Sequence, residues 1–185
     1  MRKSILAICL FFLTSVSRSQ TDSASLIPGI KAAADSMTTA FRNKDFTTFA
    51  HFNNTRLMDM LGGESGFVEF MEKQIELLKD VSFTEMKAGR VIRVLTFNGT
   101  QQCIIEQLSE IKMEGIVVSS VSHLVGLSVD GGKSWRFADA NNGTKEEFAS
   151  IMPELSPNLL IPKKKQEMGM SLADLLKDYK TVYLP

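Results

Sequence analysis

The sequence predicts an α+β protein: three helices at the front of the chain, folded onto a curved antiparallel meander of about five strands, with a last helix at the C-terminus. Apolar residues keep helical spacing, three and four apart, as far as Leu78, and from Val81 to Asp139 the period changes to two. Turn signals at Ala88-Gly89, Asn98-Gly99, Glu114-Gly115 and Asp130-Gly131-Gly132 then divide that second stretch into consecutive strands.

The chain opens with a short positive run, Met1-Arg2-Lys3, followed by nine apolar residues from Ile5 to Leu13. Ser17 and Ser19 supply small residues at the −3 and −1 positions for cleavage before Gln20, so residues 1–19 are expected to be a signal peptide. Nine apolar residues fall far short of the roughly 20 that span a bilayer as a helix. No integral membrane segment is therefore expected after cleavage, and the mature protein is expected to be periplasmic or secreted. Cleavage removes Arg2, Lys3 and Arg18, leaving 18 basic against 21 acidic residues, a net charge of −3. Such a surface gives no electrostatic reason to expect nucleic acid. About 166 residues remain, enough for one domain with a real core. Cys103 is the only cysteine left, which excludes an intramolecular disulfide, and within an apolar strand it is expected to be buried.

Residues 20–29 are polar and small, end at Pro28-Gly29, and read as a flexible lead-in. The single α+β domain is expected over 30–152. Ile30, Ala33, Ala34, Met37 and Phe41 form the apolar stripe of its first helix. Asp45 can cap a short second helix with Phe46, Phe49 and Ala50 on one side and His51 opposite, toward solvent. After Gly62-Gly63, a third helix carries Phe67, Phe70, Met71, Ile75 and Leu78; its Met and Phe stripe reads as core. Strands are expected near 81–87, 90–97, 100–113, 116–129 and 133–139. The third and fourth are long against a usual five or six residues, so they must twist and coil, giving a curved, cone-like sheet. Thr144-Lys145-Glu146-Glu147 reads as a capping box opening a short helix with Phe148 and Ile151. Over 153–185, Pro153, Pro157 and Pro162 mark an extended segment whose Leu159-Leu160-Ile161 should lie against the body. Lys163-Lys164-Lys165 reads as a solvated turn. Ser171 can cap a final docking helix with Leu172, Leu175, Leu176 and Tyr179 on one face.

Helix, short helix, helix and then a long-stranded curved sheet, with the text Ala40-Phe41-Arg42-Asn43-Lys44-Asp45-Phe46-Thr47-Thr48-Phe49-Ala50 at the first helix junction, resembles the nuclear transport factor 2-like superfamily, which includes SnoaL-like proteins. The resemblance covers about residues 30–139. The third helix precedes every strand here, whereas many members insert strands between helices, and this leaves a cystatin-like arrangement open. The resemblance implies a cone with a pocket and frequent dimers. It implies no single activity, since members include isomerases, dehydratases, hydrolases and binding modules, and no acid–base pair carries over by motif. Separately, Ser128-x-Asp130-x-Gly132-x-Ser134-Trp135 is similar to an Asp-box. Asp130 can accept turn amides there while Trp135 packs beneath, a structural hairpin rather than a sugar site.

Chemistry, if present, should centre on His123, a lone imidazole on the apolar face Val117, Ser119, Val121, Val125, Leu127 and Val129, expected to face the helices. Two registers are open. A two-residue turn at Glu114-Gly115 sets Glu106 opposite His123, a carboxylate–imidazole pair suited to general-base work. A three-residue turn sets Gln107 there instead, matching Ile105 with Val125, Ser109 with Val121 and Met113 with Val117. The buried pattern favours the second. The cavity would then hold Gln107, Ser109, Ser119 and His123, neutral hydrogen-bonding groups in an apolar wall, which suit binding of a small apolar ligand. The sequence thus points to an exported, non-catalytic ligand-binding or interaction domain. It needs no cofactor, and no metal-ligand spacing is present. The alternatives are a small isomerase- or hydrolase-type enzyme using His123 with Glu106, and a structural envelope protein dimerising through the outer sheet face.

Overall fold

The computed structural model of the chain describes residues 23–140 and 145–183. The expected signal peptide and its cleavage site lie outside them, as does Thr144 of the expected capping box. The elements run α1 (Ser23–Arg42), α2 (Phe46–His51), α3 (Thr55–Met60), α4 (Gly63–Leu77), β1 (Val81–Phe97), β2 (Thr100–Met113), β3 (Ile116–Ser128), β4 (Arg136–Asp139), α5 (Lys145–Ile151), β5 (Lys165–Met168) and α6 (Leu172–Tyr183). The class is α+β as the periodicity predicts: helices, then a five-stranded antiparallel sheet, then a C-terminal helix. Strands β1-β2-β3-β4 form a meander, and β5 pairs with the stretch of β3 that the short β4 leaves unpaired.

Several elements differ from expectation, each for an identifiable reason. The helix α1 begins at Ser23, inside the expected lead-in, and contains Pro28. Buried Leu26 and Ile30 pack into the main core, which holds this extra turn in place although Pro28 has no N–H for the turn before it. Asn53-Asn54 starts an additional helix, α3: Asn54 Oδ1 accepts from Leu57 N at 3.2 Å. Ala88-Gly89 is not a turn; the two expected strands are one, β1, with register shifts at Phe83/Glu85, Ala88/Val91 and Val91/Arg93. The Ala88 backbone is taken up by α1, its N–H by Asp35 Oδ1 at 3.0 Å and its carbonyl by Lys31 Nζ at 3.3 Å. A bulge whose polar groups are satisfied by a neighbouring helix leaves the chain no reason to reverse there.

The β2–β3 register is the two-residue one, with Glu106 opposite His123, and this corrects the favoured three-residue reading. Glu114 at φ 50° and Gly115 at φ 82° make a tight turn with both central residues left-handed, the geometry that matches strand twist. The burial pattern could not choose between registers because the middle of this hairpin is buried on both faces. On one face Cys103, Ile105 and Leu124 join α1, α2 and α4 residues such as Ile30, Ala34, Phe49 and Phe67. On the other, Ile104 and Val125 pack against Met152 and Leu159, while Leu108 and Val121 pack against Leu172 and Leu175. Residues 152–176 thus lie over the outer sheet face, the face through which the structural alternative would have the protein dimerise. Polar ties fix them: Gln102 Nε2 donates to Glu154 O and Gln102 Oε1 accepts from Ser156 N, both at 2.9 Å. Farther along, Ser119 Oγ donates to Met170 O at 2.8 Å, and Glu110 Oε2 accepts from Leu172 N at 2.9 Å. Leu159 is buried while Leu160 is 79 % exposed.

Candidate ligand-binding site

The helices do not fill all the space against the sheet. Between α1–α4 on one side and β1–β4 on the other lies a cavity of about 640 Å³, bounded at one end by α5. Phe41 and Phe49 stand 5.3 Å apart at its helical wall, and Phe49 stacks on Phe67 at 5.8 Å. Met37, Met60, Met71 and Met86 complete an apolar lining that soft thioethers can reshape around a guest. Met60 and Phe70 line it too and are 65 % and 41 % exposed, which places them at the opening.

Four polar residues interrupt this lining: Asn53, Gln107, Asp139 and Ser150. The Asn53 amide nitrogen donates to Phe49 O at 2.8 Å, and Gln107 Oε1 accepts from Ser122 Oγ at 3.2 Å. Their orientation is therefore set by the fold. Asp139, at the end of β4, is exposed at the rim beside Ser150 of α5.

Of the residues expected in the cavity, Gln107 lines it and the other three do not. Ser109 is on the helix-facing side but is matched with Ser120, their hydroxyls 2.7 Å apart. Ser119 points to the opposite face, into the C-terminal segment. His123 shares the strand parity of Val121 and Val125 and so faces away from the helices, wholly buried. Glu106, its cross-strand partner, is buried as well and is held by Arg90. The Arg90 N–H reaches Glu106 Oε2 at 2.9 Å and Arg90 Nη2 reaches Oε1 at 2.6 Å. The bulge at Ala88/Val91 is what turns Arg90 over the carboxylate. Glu106 and His123 are buried on the other side of the sheet from the cavity, with Arg90 half-exposed beside them, so they offer no general base to a molecule bound there.

The part of the cavity wall supplied by Asn53, Leu57 and Met60 is absent from the sequence reading because α3 is absent from it. The signal that could have found α3 is Asn54, a good N-cap, ahead of Leu57 and Met58. The hairpin loop after β3 is closed by Asp130, whose Oδ1 accepts Lys133 N and Ser134 N at 3.0 Å each, while Ser134 Oγ donates to Oδ2. Ser128 Oγ accepts from Gly132 N at 2.8 Å, and the Trp135 indole donates to Gly132 O at 3.2 Å. Every one of these groups is turned inward to the loop.

Among the described residues no cluster of three His, Cys, Asp or Glu side chains could hold a metal ion. No helix among them is long and apolar enough to cross a membrane. No protein-family model matches the chain, and no curated protein matches it.

Proposed function

We propose that this is an exported binding protein that takes a small apolar ligand into the cavity between the helices and the sheet. The observation that carries the reading is the cavity itself. Its volume of about 640 Å³ falls within the roughly 300–1,000 Å³ of small-molecule sites, and its wall combines aromatics and thioethers with a few oriented polar groups. An apolar cleft that opens to solvent between strands on one side and aromatic helices on the other suits an apolar guest, whose surface it would remove from water. The nuclear transport factor 2-like resemblance, with its pocketed cone, is consistent with this and forms part of the proposal.

The test is a titration of the purified protein with N-phenylnaphthylamine, a neutral probe that brightens in apolar surroundings. Saturable binding is expected in the wild type, and Met71→Trp, which fills the wall, should weaken it at least tenfold. Absence of binding in the wild type, or equal binding in a folded Met71→Trp variant, would overturn the reading.

A further inference from the structure

Resting on that binding reading, we infer that the guest is an elongated apolar molecule with a polar group at each end: a carbonyl acceptor that meets Gln107 and a hydroxyl donor that meets Asn53. Two amides carry the argument. Asn53 spends its side-chain nitrogen on Phe49 O at 2.8 Å, which leaves Oδ1 as an acceptor. Gln107 is the converse: Ser122 Oγ donates to its Oε1 at 3.2 Å, which leaves the Nε2 hydrogens as donors. Neither Asn53 Oδ1 nor Gln107 Nε2 hydrogen-bonds within the described residues, and neither is sealed off in the packed interior. Both residues line the cavity, so these are the ends that open onto it. The other two polar lining residues, Asp139 and Ser150, have partners of their own.

The two groups stand well apart. Gln107 lies four residues along β2 from Cys103, and Cys103, Gly126 and Phe137 are partners across β2, β3 and β4. At about 3.3 Å per residue and about 4.8 Å per strand, the Gln107 and Phe137 backbones are roughly 16 Å apart. Asn53 is bridged to Phe137. One small polar group cannot reach both amides, whereas one extended guest can, with its apolar body against the Phe41, Phe49 and Phe67 wall. A guest without polar ends would displace water from both amides and leave each unpaired, and a site with placed hydrogen-bonding groups discriminates most strongly against such an analogue.

The experiment displaces bound N-phenylnaphthylamine with three molecules that share a ten-carbon chain, each below its solubility limit. Methyl 10-hydroxydecanoate has both ends, methyl decanoate lacks the donor, and decanol lacks the ester. In a cavity indifferent to polar ends, each added polar group would weaken binding roughly tenfold, because it leaves water for a site without a partner. The expected result is instead a hydroxy-ester that displaces the probe at least as well as either single-ended molecule. Gln107→Met should weaken both esters at least fivefold more than it weakens the probe; Ser122 keeps a partner in that variant, since its hydroxyl also reaches Gln107 O at 3.4 Å. A hydroxy-ester weaker than either single-ended molecule in the wild type overturns the inference while leaving the cavity reading intact. So does a folded Gln107→Met variant that weakens the esters no more than the probe. The wild-type comparison tests both ends without any variant. Absence of probe binding in the wild type would instead remove the cavity reading and this inference with it.

Discussion

Gly126 sits in mid-strand, where a glycine ordinarily weakens a sheet, and its place is set by what crosses it. A Cβ there would lie 2.6 Å from Cys103 Sγ and 2.7 Å from the Phe137 ring. Gly126→Ala should therefore cost about 1–3 kcal/mol by overpacking, read as a lower urea midpoint with an unchanged slope. Cys103 shares that site, and burial pushes its thiol up to about 12. A raised acid stabilises the fold while protonated, a contribution present below its ordinary value and lost only as pH climbs toward the folded one. Native protein at pH 8 should thus leave Cys103 unmodified by iodoacetamide over hours, and urea-unfolded protein should react within minutes; fast native labelling would contradict the packing. Removing the Arg90 guanidinium (Arg90→Met) would take the paired charge from the buried Glu106 carboxylate; since Arg90 itself is half-exposed, the cost should be about 1–3 kcal/mol. The double change Arg90→Met with Glu106→Met should recover most of that. At this scale the burial of Cys103 was legible from its apolar neighbours. Arg90 was not, because its role depends on a bulge that the Ala88-Gly89 dipeptide presents as a turn.

The loop after β3 and the C-terminal segment show how single elements depend on ionisation. The Ser134 hydroxyl and N–H, with Ser128 and Lys133, hold the Asp130 carboxyl well below the usual carboxylate range. A depressed acid contributes above its unfolded value of about 3.9 and loses that contribution as pH falls through the folded one. Stability should therefore drop in acid, and Asp130→Asn should flatten that limb while lowering the midpoint at neutral pH; urea titrations at pH 7 and pH 3 compare them. Glu110 behaves in the same sense, its carboxyl held down first by the Leu172 N–H and then by Thr84. Glu110→Ala should loosen α6 from β2, seen as faster amide exchange over 171–177 with little change in α1. The Asp130 loop was legible because its contacts span only seven residues, Ser128 to Ser134. The side on which β3 presents His123 was not. An apolar strand face says that it is covered but not by what, and two layers competed to cover it: the helices and the segment from Met152 to Leu175.

Across the whole molecule, the sheet is a shared wall with the N-terminal helices on one side and the C-terminal segment on the other. The helix side keeps a cavity and the other is packed against its cover, which is why the histidine singled out from sequence ends in the packed layer. Period and turn residues made the fold class legible, because every strand junction carries glycine. The cavity was legible only as a consequence of strand length, and its polar set only at Gln107. The central claim, that a ligand enters between helices and sheet, is tested most directly by methyl NMR of methionine-labelled protein titrated with dodecanol. Met37, Met60, Met71 and Met86 line the cavity, whereas Met113 and Met168 lie on the surface elsewhere. Saturable shifts in the first four, with the other two unmoved, are the predicted result. Shifts confined to Met113 or Met168, or none at all, would contradict the account.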